Sequence, residues 1–272
     1  MELTIDGRKS YAYSGGKAFD ASLPCVVFIH GALNDHSVWT LLARWFAHHG
    51  HAVLALDLPG HGRSAGPPLA DAQALADWVL ALLDAAGVRK AALVGHSMGS
   101  LIALEAAGRA PERVERLVML GTAVPMKVSD ALMQTSLNDP LKAIDMVNTF
   151  SHASTASKPS YPGPGSWLHG SSRALMRRVQ AGQPGLNLFH HDFGVCDRYA
   201  GGLAAAAKVR CPATVVVGSR DQMTSPKQTA AIVEALNARV RSVDAGHTMM
   251  SEAPDAVLAA LRDALGPDGF TA

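Results

Sequence analysis

The sequence has few cysteines, few charged residues and no long apolar run, and each shortage excludes a class of protein. Its 3 cysteines are scattered among 272 residues, which indicates neither a disulfide framework nor a CxxC metal or redox site. No apolar stretch approaches the roughly 20 residues that cross a bilayer. Charged residues make up 17% of the chain and the net charge is +1, so electrostatics favour neither nucleic acid nor an anionic membrane as a partner.

The N-terminal sequence also lacks the basic segment and apolar core of a secretory signal. The chain is 48% hydrophobic, which is typical of a globular protein with one large domain, or with one domain and an insertion. We therefore expect a cytoplasmic protein with reduced, packed cysteines. The sequence predicts no oligomeric state.

What the chain does contain is a regular alternation of apolar, β-branched runs and amphipathic helical patterns. The runs 25–29 and 52–56 are continuously apolar, as in parallel strands that are buried on both faces. The alternation predicts an α/β fold with a mostly parallel central sheet flanked by helices. The predicted elements are a hairpin over 3–13, strands at 25–29, 52–56, 91–94, 114–120, 213–217 and 239–243, and helices at 37–49, 71–86, 226–236 and 254–265.

One strand in this series ends in a motif with chemical meaning. The run stops at Gly-His-Ser-Met-Gly, residues 95–99, and a helical pattern follows from Leu101. So sharp a change from strand to helix requires very small residues two positions before and after the turn, and Gly95 and Gly99 meet that requirement. Ser97 would then stand at a helix N-terminus, where free N–H groups and the dipole favour developing negative charge. The pattern is that of a nucleophile elbow.

Two further polar residues follow predicted strands in a chemically suggestive order. Asp221 comes after the run 213–217 and His247 after the run 239–243, and the carboxyl ends of parallel strands share one edge of a sheet. A serine hydroxyl needs an adjacent base to be a nucleophile at neutral pH. We therefore predict Ser97 as the nucleophile, His247 as the general base and acid, and Asp221 as the acid that orients the imidazole.

The predicted oxyanion hole consists of two backbone N–H groups. One belongs to Met98, directly after the nucleophile, and the other to Ala32, in the loop after the strand at 25–29. No cofactor or metal site is predicted. Two histidine-rich groups lack the spacing of a coordinated metal and are interpreted as solvated or locally hydrogen-bonded: His190, His191 and Asp192, and His48, His49 and His51.

The alternation of strands and helices stops between about 124 and 208. Met-rich amphipathic segments, a polar and proline-rich stretch at 151–166 and further helical segments stand there instead. Such a length between two strands of one sheet predicts a helical cap, or lid, over the carboxyl edge of the sheet. The predicted division is a core of 1–123 and 209–272 with a cap of 124–208.

The apolar residues of this segment distinguish a cap from a disordered insertion, because they give it something to bury. Its methionines are interpreted as core residues or, if one helix face lines the site, as a soft apolar acyl pocket. The aromatic residues are Trp167, Phe189, Phe193 and Tyr199, and the methionines are Met126, Met133 and Met146.

Over essentially its whole length the chain resembles the α/β-hydrolase superfamily of serine esterases. The resemblance rests on His30-Gly31, Asp57-Leu-Pro-Gly-His-Gly-Arg-Ser64, Gly95-His-Ser-Met-Gly99, Gly218-Ser-Arg-Asp221 and Gly246-His247. It implies the α/β-hydrolase fold with an inserted helical cap. It also implies structural hydrogen bonding by His30 and His96, and a structural turn at Asp57.

The function that this resemblance and the Ser97 arrangement imply is hydrolysis of a small or medium carboxylic ester through an acyl-enzyme. The expected partner is a small-molecule ester or lactone, with no nucleic acid or membrane. An enol-lactonase on the same triad is an alternative, as is a cofactor-free peroxidase activity. A meta-cleavage C–C bond hydrolase on the same triad is a further alternative, although those family members carry Trp after the catalytic His, where this chain has Thr248. The serine at the elbow argues against dehalogenases and epoxide hydrolases. A non-catalytic ligand receptor is the alternative from another class, which the filled triad positions disfavour.

Overall fold

The centre of the molecule, in a computed structural model that describes residues 1–156 and 165–266, is an eight-stranded sheet. The strands are β1 Glu2–Ile5, β2 Arg8–Tyr13, β3 Cys25–Ile29, β4 Ala52–Leu56, β5 Ala91–His96, β6 Val114–Leu120, β7 Ala213–Gly218 and β8 Arg239–Val243. Their order across the sheet is β1-β2-β4-β3-β5-β6-β7-β8. The first two strands are antiparallel to their neighbours, and β3 to β8 run parallel.

Helices cover both faces of this sheet, which confirms the predicted fold class. Every residue of β3, β4 and β5 is buried, as expected for parallel strands between two helical layers. The helices of the described residues are α1 Thr40–His48, α2 Ala72–Ala85, α3 Met98–Arg109, α4 Asp130–Asn138, α5 Pro140–Ser151, α6 Leu168–Ala181, α7 Leu188–Arg198, α8 Gly202–Ala206, α9 Ala230–Leu236, α10 Met249–Glu252 and α11 Pro254–Leu265.

The core consists of two apolar clusters, one on each face of the sheet. Helices α2 and α3 pack on one face, and α1 and α11 pack on the other. On the second face the ring of Phe28 lies 5.1 Å from that of Trp39 and 5.9 Å from that of Phe46. Full burial of one such side chain contributes roughly 1.5–3 kcal/mol. These contacts therefore fix β3 relative to the helical turn and helix that follow it.

Three of the predicted helices differ from the observed ones at their first turn. The pattern at 226–236 is a 3₁₀ turn, Pro226–Thr229, followed by α9. The pattern at 37–49 is a 3₁₀ turn, His36–Trp39, followed by α1, because the Asp35 side chain accepts the Ser37 N–H and caps the turn. Helix α3 begins at Met98, three residues before the predicted pattern, because Gly99 and Ser100 in its first turn carry no apolar side chain.

Five helices, α4 to α8, stand between β6 and β7. Of these, α7 and α8 pack on α3 of the core, while α4 and α6 each pack on α5, and α4 also packs on α7. Three of the five begin at a side-chain cap: Ser129, Asp139 and Asn187 accept the N–H groups of Leu132, Lys142 and His190. The division of the chain into core and cap stays a prediction, and the part of the polar stretch 151–166 that falls on 157–164 lies outside the described residues.

The aromatic side chains of this segment are buried as expected, with one exception. Phe189, Phe193 and Tyr199 are buried, and the two phenyl rings stack with their centroids 4.4 Å apart. The prediction is wrong for Trp167, which is 50% exposed. Its indole N–H donates to the carbonyl of Thr155 at the surface, so the ring lies along the start of α6 and not beneath it. Within the described residues, no helix combines the length and the apolarity needed to cross a membrane.

Candidate active site

A single residue, Ser97, joins β5 to α3 in a strained conformation. Its φ is 51° and its ψ is −122°, a sparsely populated region that costs roughly 1–3 kcal/mol and is typical of functional sites. Its N–H donates to the Leu120 carbonyl at 3.0 Å, and its own carbonyl accepts the Ser100 N–H at 2.8 Å and the Ser100 hydroxyl at 2.6 Å. These bonds hold the strained residue in place at the end of the strand.

Gly95 and Gly99 make this close packing possible. A Cβ on Gly95 would lie 2.2 Å from the carbonyl oxygen of Gly99, and a Cβ on Gly99 would lie 2.3 Å from that of Ile29. Both distances are far inside van der Waals contact with backbone atoms that cannot move aside. The steric requirement inferred from the motif is therefore present in the structure.

Strand register brings the predicted residues to one edge of the sheet. Ile29 of β3 pairs with Gly95 of β5, and Gly218 of β7 pairs with Val243 of β8, so the loops after each pair begin side by side. The chain leaves β3 toward β4 and β5 toward β6, in opposite directions across the sheet. Ligands of open α/β sheets bind at such a switch point, and Ser97 stands there.

Asp221 and His247 form a buried hydrogen-bonded pair. The imidazole Nδ1 lies 2.8 Å from Asp221 Oδ2, and since an ionised carboxylate can only accept, Nδ1 carries the hydrogen and Nε2 is the basic nitrogen. Asp221 also accepts the backbone N–H groups of Met223 and Thr224 at 2.8 Å and 2.9 Å, and the Thr224 hydroxyl at 2.8 Å. Burial alone would raise the pKa of Asp221, but His247 and these donors hold it at about 2. The carboxyl group is therefore ionised at neutral pH.

Ser97 and His247 line one cavity of about 300 Å³. The helices between β6 and β7 supply much of its apolar wall, and two of the three methionines singled out in the sequence are part of it. Met133 packs against the core instead. The apolar lining residues are Ala32, Met126, Val128, Leu132, Met146, Val147, Phe150, Phe193 and Met223.

A second large cavity lies near the same residues. A space of about 30 Å³ shares Ser97 and His247 with the apolar cavity. It shares Asn34 and Ser172 with a cavity of about 450 Å³, which polar and apolar residues line together. Through this small space the surroundings of Ser97 extend from the first large cavity toward the second.

The two backbone groups predicted for the oxyanion hole lie beside Ser97. Ala32 lines the apolar cavity with Ser97, and Met98 is the first residue of α3. Neither N–H donates a hydrogen bond to any residue within 1–156 or 165–266. Both donors are therefore free to bind an oxygen atom. The roles of Ser97, Asp221, His247, Ala32 and Met98 in chemistry stay predictions at this point.

The histidines that flank the site in sequence make structural hydrogen bonds, as the resemblance implied. His30 donates from Nδ1 to the Gly31 carbonyl at 2.8 Å and accepts the Leu58 N–H at Nε2 at 3.1 Å. His96 donates from Nε2 to the His247 carbonyl at 2.9 Å. Burial lowers the pKa of His30 to about 4 and that of His96 to about 3. Both rings are neutral and hold the loops of the site together.

Asp57 also has the structural role that was expected. With Asp35 and His36 it forms a group of possible metal ligands whose atoms lie within 4.8 Å of one another. Its Oδ1 accepts the ring and backbone N–H groups of His36 at 2.7 Å and 2.8 Å. Asp35 accepts the Arg178 guanidinium at 2.7 Å. Protein donors therefore already engage these carboxylates.

The sequence held no signal for the long-range partners of Asp192. This residue does bond locally to His191, at 3.2 Å, but it is buried and its Oδ2 also accepts from Leu33 and His61, both at 2.8 Å. Those two partners lie 159 and 131 positions away along the chain. No local spacing could have linked them.

Residues 24–254 match the model of the alpha/beta hydrolase fold family. The chain therefore belongs to the α/β-hydrolase fold family, which agrees with its sheet topology and with the serine at the elbow.

Individual relatives cover this chain to different extents. It is 29% identical over 244 residues to a pimeloyl-[acyl-carrier protein] methyl ester esterase of Chromobacterium violaceum, a match that covers 86% of this chain and 84% of the relative. It is 43% identical over 103 residues to the dihydrolipoyllysine-residue acetyltransferase component of the acetoin cleaving system of Pseudomonas putida, over 36% of this chain. That match spans only 26% of the relative's own length.

Comparison with solved structures gives the same fold. An enol-lactonase from Burkholderia xenovorans LB400 has a TM-score of 0.82 and 21% identity to this chain, with 97% of this chain and 99% of that one covered. At this identity the likeness shows the fold alone.

Proposed function

We propose that the protein is a serine hydrolase that cleaves a small or medium carboxylic ester through an acyl-enzyme intermediate. One observation carries the proposal: Ser97, in its strained conformation, shares a cavity with His247, whose Nδ1 is bonded to the ionised Asp221. The name of the relative that matches most of both chains, a methyl ester esterase, supports an ester as the substrate.

In the proposed first half-reaction, Ser97 Oγ attacks the ester carbonyl carbon while His247 Nε2 takes the hydroxyl proton. The oxygen of the tetrahedral intermediate accepts the N–H groups of Ala32 and Met98, which are aimed at charge that develops only in the transition state. The protonated His247 then gives its proton to the leaving alcohol oxygen. Asp221 stays ionised and stabilises the imidazolium throughout.

The second half-reaction returns the enzyme to its starting state. A water molecule loses a proton to His247 Nε2 and attacks the carbonyl carbon of the Ser97 ester. The second tetrahedral intermediate uses the same two N–H groups. Its collapse releases the carboxylic acid, and Ser97 Oγ regains its proton from His247.

The two cavities suggest how the substrate lies. We assign the acyl group to the apolar cavity of about 300 Å³, which is at the small end of ligand pockets. We assign the leaving alcohol to the cavity of about 450 Å³. In this assignment residues 124–208 act as a cap on a core of 1–123 and 209–272, because α4, α5 and α7 contribute apolar wall residues such as Leu132, Met146 and Phe193.

The test is hydrolysis of a p-nitrophenyl ester series from acetate to long acyl chains, with Ser97→Ala as the control. We expect turnover that depends on Ser97 and is fastest for short or medium chains, because the apolar cavity is small. Retention of most activity in Ser97→Ala would contradict the proposal. If the wild-type protein hydrolyses none of the esters, lactones and C–C substrates are tested next. A single slow hydrolysis event per bound ligand would indicate a receptor.

A further inference from the structure

A carboxylate on one of the helices between β6 and β7 reaches the loop that follows β3. Asp192 lies on α7 and is 1% exposed. Its Oδ2 accepts the Leu33 N–H at 2.8 Å and a hydrogen from His61 Nε2 at 2.8 Å. Leu33 directly follows Ala32, whose N–H is assigned to the oxyanion hole. The buried carboxylate is therefore one peptide unit away from the proposed chemistry.

His61 is the partner that stabilises the buried charge of Asp192. Its Nδ1 lies 3.1 Å from the Pro59 carbonyl oxygen, and its Nε2 faces Asp192. Both partners can only accept, so both ring nitrogens carry a hydrogen and the ring is a cation. Burial alone would lower the pKa of His61, but the charge and hydrogen bond of Asp192 raise it. Paired with this cation, Asp192 places no net negative charge beside the oxyanion hole.

The loop that Asp192 contacts contains a residue in an unfavourable backbone conformation. Leu33 has a φ of 54°, a left-handed conformation that costs a residue with a side chain roughly 1–2 kcal/mol. The peptide between Ala32 and Leu33 is bonded at both ends, since its N–H donates to Asp192 and its carbonyl accepts the Asn34 side-chain amide at 3.1 Å. Because the peptide unit is planar, these two bonds fix its orientation and the position of the Ala32 Cα, and they thereby limit the directions in which the Ala32 N–H can point.

We propose that Asp192 is a positioning residue for the oxyanion hole, which holds the Ala32–Leu33 peptide so that the Ala32 N–H faces the tetrahedral intermediate. The role presupposes the serine hydrolase proposed above. The next residue of α7, Phe193, lines the acyl cavity. One helix therefore both contacts the acyl group and orients the group that stabilises the transition state.

The effect of Asp192 belongs to the chemical step. The Ala32 N–H meets full negative charge only in the transition state, so a misdirected N–H lowers kcat more than it changes substrate binding. Loss of one oxyanion donor costs about 10²–10³-fold in kcat, and a displaced donor costs part of that. We expect Asp192→Ala to lower kcat by about 10–100-fold, with KM within about 3-fold of wild type.

The conservative variant separates hydrogen bonding from charge. In Asp192→Asn the amide oxygen can still accept the Leu33 N–H, and the amide NH₂ would face His191 Nδ1, 3.2 Å from Oδ1 in the wild type. We therefore expect Asp192→Asn to keep kcat within about 5-fold of wild type. Equal losses of kcat in the Asn and Ala variants would overturn the positioning role, as would a loss that appears only in KM.

A double variant keeps the test valid if Asp192→Ala does not fold. His61→Leu/Asp192→Leu replaces the buried ion pair by apolar side chains, an exchange that is often neutral or stabilising, while the Leu33 N–H still loses its acceptor. We expect this variant to fold and to have the low kcat of Asp192→Ala. A folded double variant with wild-type kcat would refute the role.

Asp145→Ala is the matched control. Asp145 on α5 pairs with Arg173 on α6, so its removal takes away a carboxylate between two inserted helices without touching the oxyanion loop. We expect its kcat to stay within about 2-fold of wild type. A loss as large as that of Asp192→Ala would show that any weakening of these helices lowers kcat, and it would overturn the specific role of Asp192.

Amide hydrogen exchange at Leu33 separates this inference from the proposed function. We expect the Leu33 N–H to be protected in the wild type and in Asp192→Asn and to exchange faster in Asp192→Ala, whatever the reaction is. If this exchange pattern is found without any turnover that depends on Ser97, the proposed function is wrong, although the hydrogen bond from Leu33 to Asp192 is present. If turnover depends on Ser97 but Leu33 exchanges at the same rate in all variants, the positioning role of Asp192 is wrong and the proposed function stands.

Discussion

The elbow between β5 and α3 and the helices inserted between β6 and β7 meet at one cavity but are built differently. At the elbow, backbone hydrogen bonds and two glycines hold Ser97, and its partners come from the adjacent helix and strand. The inserted helices reach the site through apolar side chains and through the one buried carboxylate of Asp192. We expect the elbow, where backbone atoms leave no room for a Cβ at either glycine, to tolerate less change of shape than the inserted helices.

The largest expected effect tests the chemistry at the core edge. Asp221→Asn should lower kcat about 10³–10⁴-fold. The N–H groups of Met223 and Thr224 would hold the amide oxygen at the place of Oδ1, so the NH₂ group would face His247 Nδ1, which then cannot carry the hydrogen, and the imidazolium would lose its anion.

Asp244→Asn is the matched control. Asp244 stands three residues before His247 but is exposed and pairs with Arg220, so we expect kcat within about 2-fold of wild type. Comparable losses in the two variants, measured on one p-nitrophenyl ester, would contradict the assignment of Asp221.

A pair of glycine variants compares the two regions directly. Gly99→Ala places a Cβ 2.3 Å from the carbonyl oxygen of Ile29, and we expect it to lower the free energy of unfolding by about 3 kcal/mol or more. On α7, a Cβ on Gly194 would meet only the flexible end of Arg198, at 2.5 Å. Alanine is also the better helix former by about 1 kcal/mol. Gly194→Ala should therefore be neutral or stabilising.

Urea denaturation of both glycine variants measures this difference. Equal destabilisation by the two substitutions would show that the inserted helices are packed as tightly as the elbow. That result would remove the contrast between the two regions.

The smallest expected effect concerns the His61–Asp192 pair and its pH dependence. The pKa of Asp192 is lowered from 3.8 by His61 against the effect of burial, so its contribution to stability is present above about pH 3.8 and lost as the pH falls. The pKa of His61 is raised from 6.5, so its contribution is present below about pH 6.5 and lost as the pH rises through the folded-state value. The pair therefore stabilises the fold most between these two pH values.

The measurement compares the wild type with His61→Leu/Asp192→Leu in urea denaturation at several pH values. We expect the difference in unfolding free energy to be most favourable to the wild type near pH 5 and to move toward the variant as the pH rises above 6.5. A difference that is constant from pH 4 to pH 9 would show that the pair is not ionised in the fold.

The same contrast explains what could be predicted from the sequence. The proximity of Ser97, Asp221 and His247 follows from local patterns, since each residue comes directly after a recognisable strand and parallel strands share one edge. Leu33 and Asp192 have no such pattern, because 159 positions separate them and their contact depends on how α7 packs. The exposure of Trp167 was mispredicted for a related reason, since hydrophobicity alone does not reveal that its N–H bonds to a surface carbonyl.

The most direct test of the central proposal is covalent labelling with an alkyl fluorophosphonate, followed by peptide mass spectrometry. The reagent forms a stable ester with an activated serine oxygen. We expect one adduct, located at Ser97, in the wild type, and none in Ser97→Ala. We also expect none at Ser100, whose hydroxyl donates to the Ser97 carbonyl. Labelling of Ser100, or ester turnover by a protein that the reagent does not label at Ser97, would contradict the assignment of Ser97 as the nucleophile.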